Sequence, residues 1–478
     1  MNIEQPSSLL ASPSIAIIGG GIAGATAATH LANLGLNITL IEQGPSLVNG
    51  PPICHLHAGG NLYREIDTEQ CITLLRQSID TLKLYPVCAD YRPTVIAIPK
   101  RDSGNFNDLK PRLIQLQQEY QTLVEQDENN KVLGEPSEYF TTYSREDIEH
   151  LAAQEIVANP IQKDDWLIPV AKTLDLDKLK FPLVMVQEYG LNVFRLAACA
   201  TLTTSQQSTC QVMTHTAVTD INNVDSRWRV TLKKDNDLFE ASFDYLINAS
   251  GYRSGVIDDL VGCYTKRLVE FKAAYVTQWD HNLGQWPEVI FYGERGTPNG
   301  MAQLTPYPNG YFQIHGMTKD ITLFEDGLVN NNENSAQPDL PKELSDKIIK
   351  QWPEDVATHR TQRSIDFMAH FIPSFDDALV GGKPLFGAQQ IPGKDPDLRA
   401  TDVDFPVKNY ARSEIVKASS AIDAAKLIYQ NICESFDLTM NEAVNVNHVL
   451  DEQDISATAQ ALAIERNYPV SLANRVNK

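Results

Sequence analysis

The sequence predicts an α/β fold in which a domain with a parallel sheet is interleaved with an α+β domain built on an antiparallel sheet. Two observations carry this prediction. A strand, a glycine-rich turn, a helix and a second strand follow one another within residues 15–42. After a long insertion, residues 265–320 hold several short strands with alternating apolar and polar residues. A chain of 478 residues is too long for one simple core, so two domains are expected.

The glycine-rich turn has the spacing G-x-G-x-x-G. Gly19 permits the sharp turn, Gly21 lets the backbone approach a pyrophosphate, and Gly24 lets the helix pack close to the strand. Ile22 and Ala23 begin that helix, so we expect them at the ligand as well. The pattern predicts a Rossmann-like dinucleotide-binding domain. The alternative is a glycine-rich turn in another α/β fold.

Glu42 ends the second strand, at about the 20-residue distance from the glycines that a ribose-binding acid has. A carboxylate at this position accepts hydrogen bonds from the ribose hydroxyls. It repels a 2′-phosphate, so NADP is disfavoured as the ligand.

The composition is that of a globular protein, with 42% apolar and 21% charged residues. The 61 acidic against 40 basic residues give a net charge of −21, which argues against nucleic acid and anionic membranes as partners. No apolar run approaches the ~20 residues that span a bilayer, and we expect no signal peptide. Seven scattered cysteines without a C-x-x-C motif indicate free thiols in the cytoplasm. The run Cys54-His55-Leu56-His57 has no second cluster, so no metal site is expected.

The remaining elements follow from periodicity and turn residues. Helices are predicted near 68–84, 106–126, 193–205, 413–433 and 454–466. Strands are predicted near 92–99, 211–214, 218–221, 228–232, 245–248, 289–292, 301–304, 311–314 and 383–388. The strand near 245–248 ends in Asn248-Ala249-Ser250-Gly251, small residues typical of a strand end beside a nucleotide. The strand near 383–388 and the helix near 413–433 are expected to close the first domain.

This order of parts resembles the FAD-dependent D-amino-acid oxidase superfamily. That superfamily includes glycine and sarcosine oxidases, dimethylglycine dehydrogenase and L-2-hydroxyglutarate dehydrogenase. The segment 248–251 looks like the family's "N-A-A-G" strand end. His57-Ala58-Gly59-Gly60 looks like the "H-A-G" loop beside the flavin in the hydroxyglutarate and dimethylglycine dehydrogenases. The likeness covers roughly residues 14–432.

The resemblance implies FAD as the cofactor, with NAD as the alternative. It implies a discontinuous FAD-binding domain of residues 14–90, 192–262 and 375–433, and a substrate domain of residues 91–191 and 263–374. Residues 434–478 would form a C-terminal helical tail. The residues that we expect to bind FAD are Gly19, Gly21, Ile22, Ala23, Gly24, Glu42, His57, Ala58, Gly59, Val218, Ala249, Gly251, Gly387, Ala411 and Arg412.

In such enzymes the flavin carries out the redox chemistry, and the protein binds and orients the substrate. An arginine would clamp a substrate carboxylate; Arg64 and Arg363 are the candidates. His57 is the candidate base. Its alternatives are a covalent bond to the flavin and a hydrogen-bonded loop histidine without proton transfer. The start of the helix near 413, with Arg412, would stabilise the negative charge of the reduced flavin.

Gln303, Tyr307 and His315 lie on the predicted pocket sheet, where they either face a ligand or are ordinary sheet side chains. Three functions remain open. The first is an FAD oxidoreductase that oxidises a C–N bond of a small amino acid or secondary amine. The second oxidises a small 2-hydroxy acid and passes electrons to a quinone or carrier instead of oxygen. The third is a flavin-binding or assembly subunit without turnover.

Overall fold

The computed structural model describes residues 12–49, 56, 58–63, 65–280, 283–350, 352–400, 403–441 and 450–475. Its strands are β1 Ser14–Ile18, β2 Asn37–Ile41, β3 Ala89–Asp90, β4 Thr94–Pro99, β5 Phe140–Tyr143, β6 Leu179–Val186, β7 Gly190–Leu191, β8 Cys210–Met213, β9 Thr216–Val224, β10 Arg227–Lys234, β11 Asp237–Phe243, β12 Tyr245–Asn248, β13 Arg267–Gln278, β14 Glu288–Phe291, β15 Ala302–Pro306, β16 Tyr311–Gly316, β17 Leu328–Asn330, β18 Leu379–Val380, β19 Leu385–Pro392, β20 Val403–Val407 and β21 Tyr410–Ser413. Its α-helices are α1 Ile22–Asn33, α2 Thr68–Leu84, α3 Phe106–Gln126, α4 Arg145–Ala152, α5 Lys163–Ala171, α6 Val193–Gln206, α7 Ser254–Val261, α8 Lys342–Ile349, α9 Glu354–Ala369, α10 Ala421–Phe436 and α11 Glu452–Glu465.

The first sheet has the strand order β20-β21-β12-β1-β2-β8, and its strands are parallel apart from β20. Helices α1, α6 and α10 cover one face, and the antiparallel sheet β9–β11 covers the other. The central strand β1 is therefore apolar on both faces, as buried parallel strands are. This is the predicted Rossmann-like unit.

The second sheet has the order β17-β13-β16-β15-β14-β4-β6-β5, and β18 and β19 also pair with β13. Along β14, side chains alternate between the two faces. Val289 and Phe291 belong to a core that includes Ile365 and Met368 of α9. Glu288 and Ile290 lie on the opposite face. Most of the pairings are antiparallel, as predicted for 265–320.

The strand and the helix start that were predicted to complete the first domain are wrong. The strand near 383–388 is β19, which pairs with β13 over its whole length instead of joining the first sheet. The first sheet closes with β21, which pairs with β12, and the helix after it begins at Ala421 instead of near 413. All four residues of β21 are buried. A strand of four residues such as β21 is too short to show a period in its sequence. The longer run of β19 was therefore predicted to be the strand that completes the first domain.

Most other elements are confirmed within two residues. The helices predicted near 68–84, 106–126 and 193–205 are α2, α3 and α6, and the predicted tail helix is α11, which packs on α6. Within the described ranges, no helix combines the length and apolar character needed to cross a membrane.

Candidate functional site

The turn between β1 and α1 has the geometry of a dinucleotide-binding turn. Gly19 has φ +105°, and a Cβ on it would collide with the carbonyl of Ala249. A Cβ on Gly24 would collide with the carbonyl of Gly19, so only glycine lets α1 pack this close to β1. Gly21 differs, since no atom of the described residues lies within 4 Å of where its Cβ would be. Gly21 is also the N-cap of α1, and as a glycine it has no side chain that could cap the helix. The first amides of the helix, those of Ile22 and Ala23, have no acceptor within the helix, which suits them to bind an anion.

Glu42 is held in place at the end of β2. Its Oε2 accepts a hydrogen bond from the Gly20 amide at 2.7 Å, and its Oε1 accepts one from the Gly44 amide at 2.5 Å. Each carboxylate oxygen has a second lone pair, so the group can still accept bonds from hydroxyls. The backbone fixes the carboxylate where the sequence predicts a ribose.

A cleft of about 80 Å³ opens at the carboxyl ends of β1 and β2. Three of the predicted cofactor residues, Gly19, Glu42 and Val218, line it. The strand order reverses here, because β2 lies on one side of β1 and β12 on the other. Ligands of open α/β sheets bind at such a switch point.

The strand end after β12 forms the other wall of the turn. The Ala249 amide and the Ser250 hydroxyl both donate to the carbonyl of Ile18, at 2.9 and 3.0 Å. Gly251 follows with φ +59°. The segment that resembles the family's strand end therefore lies directly against the glycine turn.

The predicted flavin loop is bound by a buried carboxylate that sequence reasoning missed. Glu188 Oε1 accepts the Gly60 amide at 2.6 Å and the Tyr139 hydroxyl at 2.7 Å. Gly59 has φ +99°, and a Cβ on it would lie 2.5 Å from the carbonyl of Cys71 in α2. Ala58 is buried. The loop thus lies pressed between α2 and Glu188.

Burial raises the pKa of Glu188 from 4.5 to about 7. The hydrogen bonds from Tyr139 and from the loop amides oppose this effect, because they favour the charged carboxylate. Glu188 follows the apolar strand β6 as a lone acid, and no motif marks it. An acid two residues after the end of a buried strand was the only available signal.

One face of the second sheet carries polar side chains that lie toward this loop. We call them the polar row: Glu288, Tyr292, Gln303, Tyr307, Gln313 and His315. Tyr292 donates its hydroxyl to the carbonyl of Leu62 at 2.9 Å. Glu288 projects from the same face as Tyr292 and accepts a bond from Gln303 Nε2 at 2.7 Å. Gln303 is the register partner of His315, and both are buried. The sheet residues predicted at 303 and 315 therefore come together.

A further pair extends this row. Tyr307 OH donates to Gln313 Oε1 at 3.1 Å. Gln313 is 1% exposed, and its Nε2 has no hydrogen-bond partner among the described residues. A buried amide donor of this kind can bind an acceptor of a ligand.

The predicted catalytic residues are not assembled by the described part of the structure. His57 and Arg64 lie outside the described residues. Arg363 lies on α9 with a half-exposed side chain that pairs with Asp320 at 3.3 Å. It does not line the cleft.

The three candidates from the closing region lie in two different sheets. Gly387 belongs to β19 and pairs with Lys272 of β13, so it lies in the second sheet and not on a closing strand of the first. Ala411 is buried in β21. Arg412 is 3% exposed and binds two carboxylates, those of Asp258 at 2.8 Å and Asp404 at 2.6 Å.

The profile of the FAD-dependent oxidoreductase family matches residues 14–398. The chain belongs to this family. FAD is therefore its cofactor, which decides against NAD. No curated protein matches the sequence.

Solved structures share the fold over most of this chain. Glycine oxidase from Geobacillus kaustophilus is 12% identical, with a TM-score of 0.56 over 91% of this chain and 98% of its own. L-proline dehydrogenase from P. horikoshii is 15% identical, with a TM-score of 0.56 over 90% and 94%. L-alpha-glycerophosphate oxidase from Mycoplasma pneumoniae, solved with FAD bound, is 16% identical, with a TM-score of 0.53 over 92% and 98%.

The described residues fit this cofactor. The uncapped N-terminus of α1 and the open space at Gly21 suit the pyrophosphate, and the fixed carboxylate of Glu42 suits the ribose. The cleft beside Val218 suits the adenine end. The loop that includes Gly59 contacts the polar face of the second sheet, because Tyr292 donates to the carbonyl of Leu62.

Proposed function

We propose that this oxidoreductase removes a hydride from a C–N bond of a small amino acid or secondary amine. FAD, when bound, accepts the hydride. The chain's own residues bind the two reactants, orient them and take up the released proton. The observation that supports this proposal is the buried polar row on the sheet face that contacts the flavin loop.

The polar row offers complementary groups to an amino acid. The carboxylate of Glu288 can accept a bond from an ammonium or amine group, and the amide of Gln313 can donate to a carboxylate. Arg92 Nη2 donates to Glu288 Oε2 at 3.4 Å, so a cation already lies beside this acid. Glycine oxidase and L-proline dehydrogenase, two proteins of the same fold, are named for amino acids.

We further propose the roles of the two residues outside the described ranges. Arg64 pairs with the substrate carboxylate, because a guanidinium binds carboxylate through two parallel hydrogen bonds. His57 receives the proton released from the amine. The remaining cofactor residues of the sequence prediction, together with the domain boundaries predicted from it, are part of the same proposal.

The experiment that tests the function is anaerobic reduction of the bound flavin. Small amino acids and secondary amines are expected to bleach the flavin absorbance, and 2-hydroxy acids are expected to leave it unchanged. Bleaching by a 2-hydroxy acid alone would favour the alternative of a hydroxy-acid dehydrogenase. Absence of bleaching by both classes would favour a flavin-binding or assembly subunit.

Reoxidation of the reduced enzyme identifies the electron acceptor. We propose oxygen, a quinone or an electron carrier as the acceptor. Stopped-flow mixing with air-saturated buffer and then with a soluble quinone distinguishes the acceptors, since only the true acceptor restores the oxidised spectrum rapidly.

We also propose a cytoplasmic location, which the cysteines support: all six that the structure describes are free thiols.

A further inference from the structure

Arg466, in the C-terminal tail beyond the region of the family match, binds the loop that follows the ribose acid. Its Nη1 donates to the carbonyl of Val48 at 2.9 Å, and its Nη2 donates to the carbonyl of Leu47 at 2.8 Å and the hydroxyl of Ser46 at 3.0 Å. One guanidinium thus binds three consecutive residues of this loop. The sequence separation is more than 400 residues.

The loop at this point has an unfavourable backbone conformation. Val48 has φ +53°, a value that β-branched residues rarely adopt. Its side chain is 4% exposed, and its amide donates to the carbonyl of Gly20 at 2.8 Å. A conformation of this kind persists only where surrounding contacts determine it. Arg466 on one side of Val48 and the glycine turn on the other are among those contacts, together with the hydrogen bond from Ser46 to Asn49.

A continuous chain of hydrogen bonds joins the tail to the cofactor cleft. Arg466 binds the carbonyl of Val48, and the amide of Val48 binds Gly20. The amide of Gly20 in turn donates to Glu42, whose carboxylate lines the cleft. Leu47 also lies against the glycine turn, because a Cβ on Gly20 would come within 2.7 Å of its side chain.

We propose that Arg466 is a positioning residue for FAD. It holds Val48 in the left-handed conformation and thereby fixes Gly20 and Glu42 for the ribose and pyrophosphate. The C-terminal tail therefore contributes to FAD binding through Arg466. This proposal uses FAD binding alone and is independent of the substrate class proposed above.

The test compares the FAD dissociation constants of apoprotein variants, measured by quenching of flavin fluorescence. Arg466→Ala is expected to weaken FAD binding by at least about tenfold. Arg475→Ala is the matched control, because Arg475 is in the same tail and also donates to a backbone carbonyl, that of Ala89, away from the cleft. The control is expected to change the dissociation constant by less than about twofold.

A double-mutant cycle with Val48→Gly separates positioning from general stability. Glycine adopts the left-handed conformation without help, so Arg466→Ala should weaken FAD binding by less than about threefold in the Val48→Gly background. An equal loss in both backgrounds would overturn the proposal, as would equal losses from Arg466→Ala and Arg475→Ala. If Arg466→Ala does not fold, Arg466→Lys replaces it in the cycle, since lysine keeps the charge but not the fork of donors.

Discussion

Glu188 and Gly60 lie 128 positions apart in the sequence, and the carboxylate of the first binds the amide of the second at 2.6 Å. This contact joins the second sheet, through the residues after β6, to the predicted flavin loop. A fully buried acid with a pKa raised to about 7 thus holds a loop that is expected to contact the cofactor.

The stability of the apoprotein should depend on pH through Glu188. Because burial raises its pKa from 4.5 to about 7, the folded state holds a proton that the unfolded state releases between these values. The stabilising contribution is complete below about pH 4.5 and is lost as the pH rises through about 7. We expect this contribution to reach about 3 kcal/mol.

Urea denaturation of the apoprotein between pH 5 and 8 measures this effect against Glu188→Gln, with the pH range set by the two pKa values. The wild type should lose more unfolding free energy than the variant as the pH rises. Parallel pH profiles for the two proteins would show that Glu188 does not titrate in this range.

Alanine substitutions of Gly21 and Gly24 should have different effects, one on FAD affinity and the other on the free energy of unfolding. Gly24→Ala puts a Cβ into the carbonyl of Gly19 and should destabilise the apoprotein by about 3 kcal/mol or more. Gly21→Ala meets open space and should change the unfolding free energy by less than about 0.5 kcal/mol. It should still weaken FAD binding by about tenfold or more, because the methyl group occupies the approach of the pyrophosphate. Unchanged FAD affinity in Gly21→Ala would show that the pyrophosphate does not bind at this turn.

Glu42→Gln should weaken FAD binding by about tenfold. The amide keeps one acceptor oxygen, but its NH₂ group faces a backbone amide that now donates to the carboxylate, and the ribose loses a charged acceptor. Isothermal titration of the apoprotein with FAD measures the loss. Titration with FMN, which lacks the adenosine half, serves as the control and should give equal affinities for the variant and the wild type.

Arg412→Met tests whether this guanidinium acts on the flavin. The structure pairs it with Asp258 and Asp404, so we expect a loss of about 3 kcal/mol in unfolding free energy and an unchanged reduction potential of the bound FAD. Arg363→Met is the exposed control and should cost less than about 0.5 kcal/mol. A more negative reduction potential of the bound FAD in Arg412→Met would instead support the prediction that Arg412 stabilises the negative charge of the reduced flavin.

The parts of the fold that were predictable are those with a local signal. The turn from Gly19 to Gly24 has a fixed spacing with a physical reason for each glycine, and long amphipathic helices such as α2 and α3 have a clear period. The strand β21 has four residues and no such signal, so β19 was assigned to its place.

The contacts that hold the site together were not predictable. Glu188 meets Gly60, and Arg466 meets Val48, only after the chain has folded. No pattern around either residue marks its partner, because the spacing that matters is in space and not along the chain. The polar row also depends on register: Gln303 and His315 were expected on one sheet, but their pairing required the structure.

The most direct test of the central claim is the absorption spectrum of the purified protein after incubation with FAD and removal of unbound FAD. Flavin bands near about 370 and 450 nm that remain with the wild type and are weaker with Gly21→Ala are the predicted result. Acid precipitation of the coloured protein then shows whether the flavin is covalently bound, since only a covalent flavin stays in the pellet; colour in the supernatant would exclude a covalent bond to His57. A wild-type protein that remains colourless after incubation with excess FAD would contradict the account.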